Sequence, residues 1–445
     1  TAYVPPGWTD WYALKGNSRY YNYTISDNGK EEVHGDVYET DYLTDVLGAR
    51  ALRFIRGSND EGVAPSPGDD GEDCSSSSSS GSSSGTSDDR TLQRRRRPFF
   101  MMIGTPAAHA SFTPSPQYEE TATGWRAPRT PTWNQPGDDR HQTVRDVAPM
   151  NNTQIEESDQ IYRQRLGTLR SVDDMVQAIL TELEESGVLN NTFVFYTADH
   201  GFHLGQFGMG FDKRQLYETD IRVPLFVRVP AAIRSRGRRS GESNEGTYIV
   251  DSPVSHVDLA PTILDLATGG EGKHVPESWD GMSYASLLLP SESKAVHAAG
   301  GHLGWRNYSL IQYYGEGGVE SCGANHNSYH EIEAGQHRAI LDGTYISSPC
   351  DGMNNTYACV RRASASVDDI FCLFSCFRDG PGGQQVDCPR DEPEGYGEYY
   401  DLREDPYQQR NMARELTEDQ RKGLTELLHR LENCSGRKEC NSEQQ

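Results

Sequence analysis

Asp199, His200 and Gly201 stand directly behind a short apolar run at residues 193–196, and Lys213 and Arg214 follow on a Gly-rich stretch further along. A carboxylate beside an imidazole can share one cation, and the Gly behind them lets the backbone turn sharply. An ammonium and a guanidinium brought to the same place would hold an anion. An Asp-His-Gly triplet by itself also suits an ordinary turn, so the surrounding elements decide between the two readings. The run 193–196 reads as a buried strand that delivers polar groups at its carboxyl end, where open α/β sheets place their sites. A second apolar run, 224–229, follows.

Other elements must position these groups. Residues 99–104 (FFMMIG) read as another buried strand, with His109 beyond its end; a loop His is by default a surface residue. Residues 41–54 carry Leu43, Val46, Leu47, Ala51 and Leu52 at helical spacing. The spacing of Val172, Met175, Val176, Ile179, Leu180 and Leu183 predicts a helix capped by Ser171 and ending near Ser186. Asp173 and Asp174 would then complement its dipole. Asp258 is placed to cap a helix over LAPTILDLA, with Pro261 in its first turn. The aromatic opening segment reads as short strands covering an edge, and residues 114–155 as a long ordered loop. In the last third, short strands are expected over 338–347 and 357–363. There Thr417 and Gln420 form a capping box for a helix presenting Leu424, Leu427, Leu428 and Leu431.

Composition sets the outer limits. A chain of 445 residues, 35% hydrophobic, can bury one large core and a smaller one, so two domains are expected, 1–289 and 290–445. The formal net charge of −24 argues against general nucleic-acid binding and leaves a polyanionic partner needing a local basic patch. Arg94 to Arg97 and the cluster Arg234, Arg236, Arg238 and Arg239 read either as solvated loops or as contacts to a sulfated glycan; a processing site is a third reading for the first group. Residues 57–97, rich in Ser, Gly, Asp and Pro, read as a disordered insertion in a surface loop. No run of about 18 apolar residues suggests a membrane span. Eight cysteines in the last third, Cys322, Cys350, Cys359, Cys372, Cys376, Cys388, Cys434 and Cys440, indicate disulfides. Zinc ligation at Cys372 and Cys376 is the alternative, and Cys434 with Cys440 would close a small loop. Sequons at Asn22, Asn151, Asn190, Asn307, Asn354 and Asn433 agree with the secretory pathway.

Several of these stretches resemble the sulfatases of the alkaline phosphatase superfamily. TADHGFHLGQFG is similar to the extracellular glucosamine-6-endosulfatases and DKRQLYETDIRVPL to the lysosomal N-acetylglucosamine-6-sulfatases. TPAAHASFTPSPQY, VDLAPTILDLA and EYYDLREDPYQQRNMA extend the likeness over nearly the whole chain, which begins part-way through the family's catalytic domain. The resemblance implies an α/β fold with a mostly parallel central sheet flanked by helices, incomplete here, plus a smaller C-terminal antiparallel sheet with a helix. It implies hydrolysis of sulfuric esters, such as the 6-O-sulfate of N-acetylglucosamine units in heparan or keratan sulfate, with a sulfated glycosaminoglycan as partner and a lysosomal or extracellular location.

The family's chemistry assigns roles to matching residues. Asp199 and His200 would supply part of one calcium site, Lys213 and His109 would meet the sulfate, and His109 would protonate the leaving oxygen, a task suited to an imidazole of unperturbed pKa about 6.5. The family's nucleophile is a formylglycine made from a Cys or Ser heading a Cys/Ser-x-Pro-x-Arg motif, and no such motif occurs in this sequence. The formylglycine and an adjacent pair of metal-binding aspartates are therefore expected in a segment before Thr1, and the chain by itself is expected to be inactive. Two further readings stand beside this one. His200 would suit zinc in a related phosphoesterase, and a chain without its nucleophile would be a non-catalytic glycosaminoglycan-binding protein.

Overall fold

The computed structural model describes residues 3–57, 98–234, 249–288, 305–315, 355–374 and 396–442, which belong to two compact units: 1–120 with 165–189, and 121–164 with 190–445. The expected insertion beyond Gly57, Arg94 to Arg97, the side chains of Arg234, Arg236, Arg238 and Arg239, and the strand expected over 338–347 lie outside the described residues.

The first unit opens with strands β1 (Tyr12–Leu14), β2 (Thr24–Asp27) and β3 (Lys30–Val33), an antiparallel sheet in that order. Asn28 and Gly29 make the two-residue turn between β2 and β3 at φ +49° and +88°, which is the left-handed pair that a tight hairpin requires. Tyr23 and Ile25 pack on Leu43 at the start of helix α2 (Leu43–Gly57), which follows the single turn α1 (Tyr38–Asp41). Of the apolar positions expected to face inward, Leu43 and Ala51 are buried and Val46, Leu47 and Leu52 half-buried, and Ile55 is buried beside them. Residues 99–104 correct one expectation, for they form no strand. Exposure alternates along them, with Phe100 and Met102 outward, so the backbone is extended but has no strand partner among the described residues. An apolar run specifies an extended conformation; it does not specify the neighbour that completes a ladder.

The second unit contains the short helix α3 (Gln142–Arg145) and the start of α4 (Asn152–Glu185), a 34-residue helix whose continuation from Arg165 belongs to the first unit. Ser171 does not cap a helix: it is buried inside α4, with Oγ 2.9 Å from Ser115 Oγ. The cap is Asn151, whose Oδ1 accepts the N–H groups of Thr153 (3.0 Å) and Gln154 (3.1 Å), while Gln154 Oε1 accepts Asn151 N–H. Nothing between the two positions breaks a helix; Gly167 serves close packing, since a Cβ there would lie 2.8 Å from Tyr118 O. Asp173 and Asp174 are accordingly mid-helix, bonded to Arg170 and to the Tyr118 hydroxyl.

Strand β4 (Val194–Thr197) is followed by β5 (His203–Leu204), β6 (Phe211–Asp212), the turn of helix α5 (Glu218–Ile221) and β7 (Leu225–Arg228). β4 pairs with β7 and β5 with β6, both antiparallel. Helices α6 (Ala231–Arg234), α7 (Leu259–Ala267) and α8 (Ala285–Leu288) come next. Asp258 gives α7 no side-chain cap. Its buried carboxylate instead accepts the N–H groups of Ser255 (2.9 Å) and Met282 (2.8 Å) and pairs with Arg306. The tighter turn just before α7 claims the side chain first.

Strands β8 (Tyr308–Tyr313), β9 (Tyr357–Ala363), β10 (Asp368–Phe374) and β11 (Gly397–Asp401) form an antiparallel sheet in the order β11-β10-β9-β8, with α9 (Glu418–Asn433) on one face and α10 (Arg437–Cys440) beyond it. Period two is strict here: Tyr357, Cys359, Ile370, Cys372 and Phe374 face one core, whereas Ala358, Val360, Phe371 and Leu373 meet Leu424, Leu427, Leu428 and Leu431 of α9. Thr417 and Gln420 make the expected capping box. Cys359 is bonded to Cys372 and Cys434 to Cys440, so Cys372 is no zinc ligand. All strand pairs among the described residues are antiparallel; the parallel pairing expected of a central sheet is not among them.

Candidate active site

β4 was expected to be buried and is covered on one face. Phe193, Phe195, Leu225 and Val227 turn into a core with Tyr284, Leu287 and Trp305. Tyr196 and Phe226, directly opposite each other, turn outward at 40% and 64% exposure, with ring centroids 6.2 Å apart. The strand ends in Thr197, whose hydroxyl donates to Pro224 O (2.8 Å), and the chain then turns through Asp199 and His200.

The two predicted cation ligands lie side by side. Asp199 is 85% exposed at its side chain; its Oδ1 accepts His200 N–H (3.0 Å) and its Oδ2 lies 3.3 Å from His200 Nε2. His200 Nδ1 is 2.7 Å from Gly201 O, a pure acceptor, so Nδ1 carries the hydrogen. His200 Nε2 thus faces a carboxylate oxygen of Asp199, which sets one nitrogen and one oxygen donor side by side. The donor set fits a divalent cation in part: it offers carboxylate oxygens and one nitrogen, while calcium takes six to eight oxygens. Among the described residues no group of three or more His, Cys, Asp or Glu is arranged to hold a metal.

Gly201 sets this corner on α5. Its N–H donates to Asp220 O (2.7 Å), Phe202 N–H donates to Thr219 O (2.7 Å), and a Cβ at 201 would sit 2.0 Å from Thr219 O. The next residues, His203 and Asp220, were not singled out from sequence. They form a buried ion pair at 0% and 1% side-chain exposure, with His203 Nδ1 2.8 and 3.0 Å from the two Asp220 oxygens. Asp220 Oδ2 also accepts Gln215 N–H (2.9 Å). Burial works against charging the His203 ring, and Asp220, by charge and hydrogen bond, outweighs it and raises the pKa. A polar residue within the apolar frame of FHLGQF was the available signal.

Lys213 and Arg214 follow β6. Asp212, directly opposite His203, accepts Lys213 N–H through Oδ1 (2.9 Å) and pairs with Arg214 through Oδ2. Lys213 is half-buried, and no hydrogen bond or ion pair engages its ammonium among the described residues. The loop expected over 114–155 braces this hairpin: Trp133 Nε1–H donates to Leu204 O (3.0 Å), Phe207 N–H to Thr132 O (2.8 Å) and Asn134 N–H to Gly205 O (2.7 Å). From the other side, Asn355 donates to Arg214 O (3.0 Å), Gln408 Oε1 accepts Glu218 N–H (2.7 Å), and Arg361 pairs with Glu218 (2.9 Å). Asp199, His200 and Lys213 thus share one braced assembly.

His109 belongs to the first unit. Its Nδ1–H donates to Ala110 O (2.8 Å), its N–H to Pro106 O (2.7 Å), and the Tyr20 hydroxyl donates to its carbonyl (3.1 Å). Arg165 secures the same turn through Ala108 O (2.8 Å), and burial pulls its pKa down to about 10.

A family model for sulfatases matches residues 2–270, and the chain belongs to the sulfatase family. It is 36% identical over 448 residues to the N-acetylglucosamine-6-sulfatase of Homo sapiens, covering 98% of this chain and 64% of that protein. The corresponding enzyme of Capra hircus is 36% identical with 98% and 63% covered. The Extracellular sulfatase SULF-1 homolog of Drosophila melanogaster is 32% identical over 296 residues, 66% of this chain and 22% of its own. The chain thus spans a little under two thirds of the length of the first two. Among solved structures, one in complex with its substrate D-glucosamine-2-N,6-O-disulfate matches with a TM-score of 0.59 at 20% identity, covering 96% of this chain and 76% of that chain. The fold is therefore the α/β, alkaline-phosphatase-like fold of the sulfatases, with the C-terminal antiparallel sheet and helix described above.

Proposed function

We propose that the protein is a sulfuric ester hydrolase acting on 6-O-sulfated glucosamine units of glycosaminoglycans such as heparan or keratan sulfate. The observation that carries this reading is the Asp199–His200 pair, with Oδ2 and Nε2 3.3 Å apart, on the assembly that also presents Lys213. Identity of 36% to N-acetylglucosamine-6-sulfatase over 98% of the chain supports the choice of sugar.

In this reading Asp199 and His200 contribute to a calcium site, and the ion, when bound, neutralises charge on the sulfate oxygens. Lys213 holds a sulfate oxygen through its half-buried ammonium. The formylglycine that serves as nucleophile in the family has no counterpart motif in these 445 residues, so these side chains bind and orient the ester and do not attack it. Five sequon asparagines, Asn22, Asn151, Asn190, Asn307 and Asn433, are exposed, in keeping with a secretory, lysosomal or extracellular glycoprotein. No helix among the described residues is long and apolar enough to cross a membrane.

Protein expressed from its complete coding sequence should release sulfate from glucosamine 6-sulfate and from an aryl sulfate, lose that activity to a chelator, and regain it with calcium. The nitrogen donor of His200 favours zinc as the second reading. Zinc-dependent cleavage of an aryl phosphate, with aryl sulfate untouched, would replace the sulfatase assignment. Heparin binding with no turnover of either ester would make it a glycan-binding protein.

A further inference from the structure

We propose that the buried His203–Asp220 pair positions the candidate site, holding the Asp199–His200 corner and the Lys213 hairpin on a common base. This rests on the functional reading above and adds two residues that touch neither substrate nor ion. Asp220 is the shared node. Its main-chain carbonyl receives Gly201 N–H one residue after His200, and its carboxylate receives His203 Nδ1–H and Gln215 N–H two residues after Lys213. His203 sits directly opposite Asp212, the residue that accepts Lys213 N–H and pairs with Arg214. Both ligand-bearing segments are therefore referred to one residue, the first through its main-chain carbonyl and the second through its carboxylate.

A second feature separates this pair from ordinary core packing. His203 Nε2 is buried and has no partner among the described residues. Buried polar atoms are nearly always satisfied, and an apolar pair of the same volume would fill the space without an orphan. A carboxylate locking an imidazole in one orientation is also the arrangement by which proteins fix groups around a reactive centre.

The test compares His203→Asn, whose amide N–H can reach Asp220 from near the Nδ1 position, with His203→Leu, Asp220→Ala and Asp220→Asn, which turns an amide N–H toward that of Gln215. Protein from the complete coding sequence is assayed on aryl sulfate over a range of calcium concentrations, with melting temperature as the folding control. His203→Leu and Asp220→Ala should lower kcat about 100-fold and raise the calcium concentration for half-maximal activity about tenfold. His203→Asn should recover to within about tenfold of wild type, and Asp220→Asn should fall between. Variants that lose melting temperature but keep wild-type kcat and calcium requirement would show the pair to be merely structural and overturn the proposal. If the wild type turns over no sulfate ester, the functional reading fails on its own. Calorimetric calcium titration of the 445-residue chain then decides the positioning role, with about tenfold weaker binding in His203→Leu supporting it and unchanged or absent binding ending it.

Discussion

Two sheets of the second unit receive opposite treatment. β8 to β11 are covered on both faces, by α9 on one side and by Phe207, Met209, Leu216 and Tyr217 on the other. β4 and β7, which lead to the candidate ligands, are covered on one face and show Tyr196 and Phe226 to solvent on the other. Burial in this unit is deepest in the four-stranded sheet, and the candidate site residues hang from thinner elements braced against it through Asn355, Arg361, Glu398 and Gln408. Substitutions in the two sheets should therefore separate folding from chemistry.

The largest effect is expected from Phe371→Ala, which empties a fully buried position against α9 and should cost about 3–5 kcal/mol in denaturant unfolding. Wild-type stability in that variant would mean the double-sided sheet is not where the unit's free energy resides. Lys213→Ala should act in the opposite sense. Turnover of aryl sulfate should fall about 100- to 1,000-fold as an anion donor is lost, while unfolding stays within about 0.5 kcal/mol of wild type because no bond to its ammonium is broken.

Acid should weaken the bracing around His141. His141 stacks on Phe374 at 3.9 Å, and burial first, then Arg145, depresses its pKa to about 3. Unfolded His titrates near 6.5, so between the two values the unfolded chain binds the extra proton, and stability present at neutral pH is lost as pH falls through 6.5. The loss at pH 5 is about 2 kcal/mol. Glu157 works against it: burial lifts its pKa to about 7, and its contribution fades as pH rises. Melting temperatures at pH 7 and pH 5 for His141→Phe, which keeps the stacking, should show a flatter acid loss than wild type; equal slopes would assign the acid sensitivity elsewhere. The smallest effect belongs to Phe226→Ser on the open face of β7, within about 0.5 kcal/mol by the same unfolding measurement. A cost of several kcal/mol there would show the two sheets to be equally loaded.

The contrast between the sheets also explains what was legible beforehand. Thr417, Gln420 and the four leucines of α9 were readable because a capping box and a single-faced repeat are local facts. β9 came out at its observed bounds because Tyr357 to Ala363 alternate between two complete cores. Local signals misled where a competing partner decided the outcome. Ser171 has the chemistry of a cap, yet an unbroken helix runs through it, and Asp258 spends its carboxylate on Arg306 and the amides of Ser255 and Met282. At the site, Asp199 and His200 could be named because a polar doublet after an apolar run is conspicuous. His203 and Asp220 could not, because 17 residues separate them and no spacing rule joins a two-residue strand to a one-turn helix. The uncovered faces of β4 and of residues 99–104 show the complementary limit: hydrophobicity marks the surface to be buried without naming what buries it.

Cys359 and Cys372 occupy the same rung of the β9–β10 ladder, with Cα atoms 4.0 Å apart, and both are wholly sealed from solvent. A one-residue slip of either strand would send every one of its side chains to the opposite core and part the two sulfurs. The covalent link works as a peg that admits only one alignment, and it closes a short loop worth about 3 kcal/mol of denatured-state entropy. A chain made in a reducing cytosol would have to find that alignment from packing alone, so the yield of correctly zipped molecules should depend on the redox state of the compartment in which translation ends.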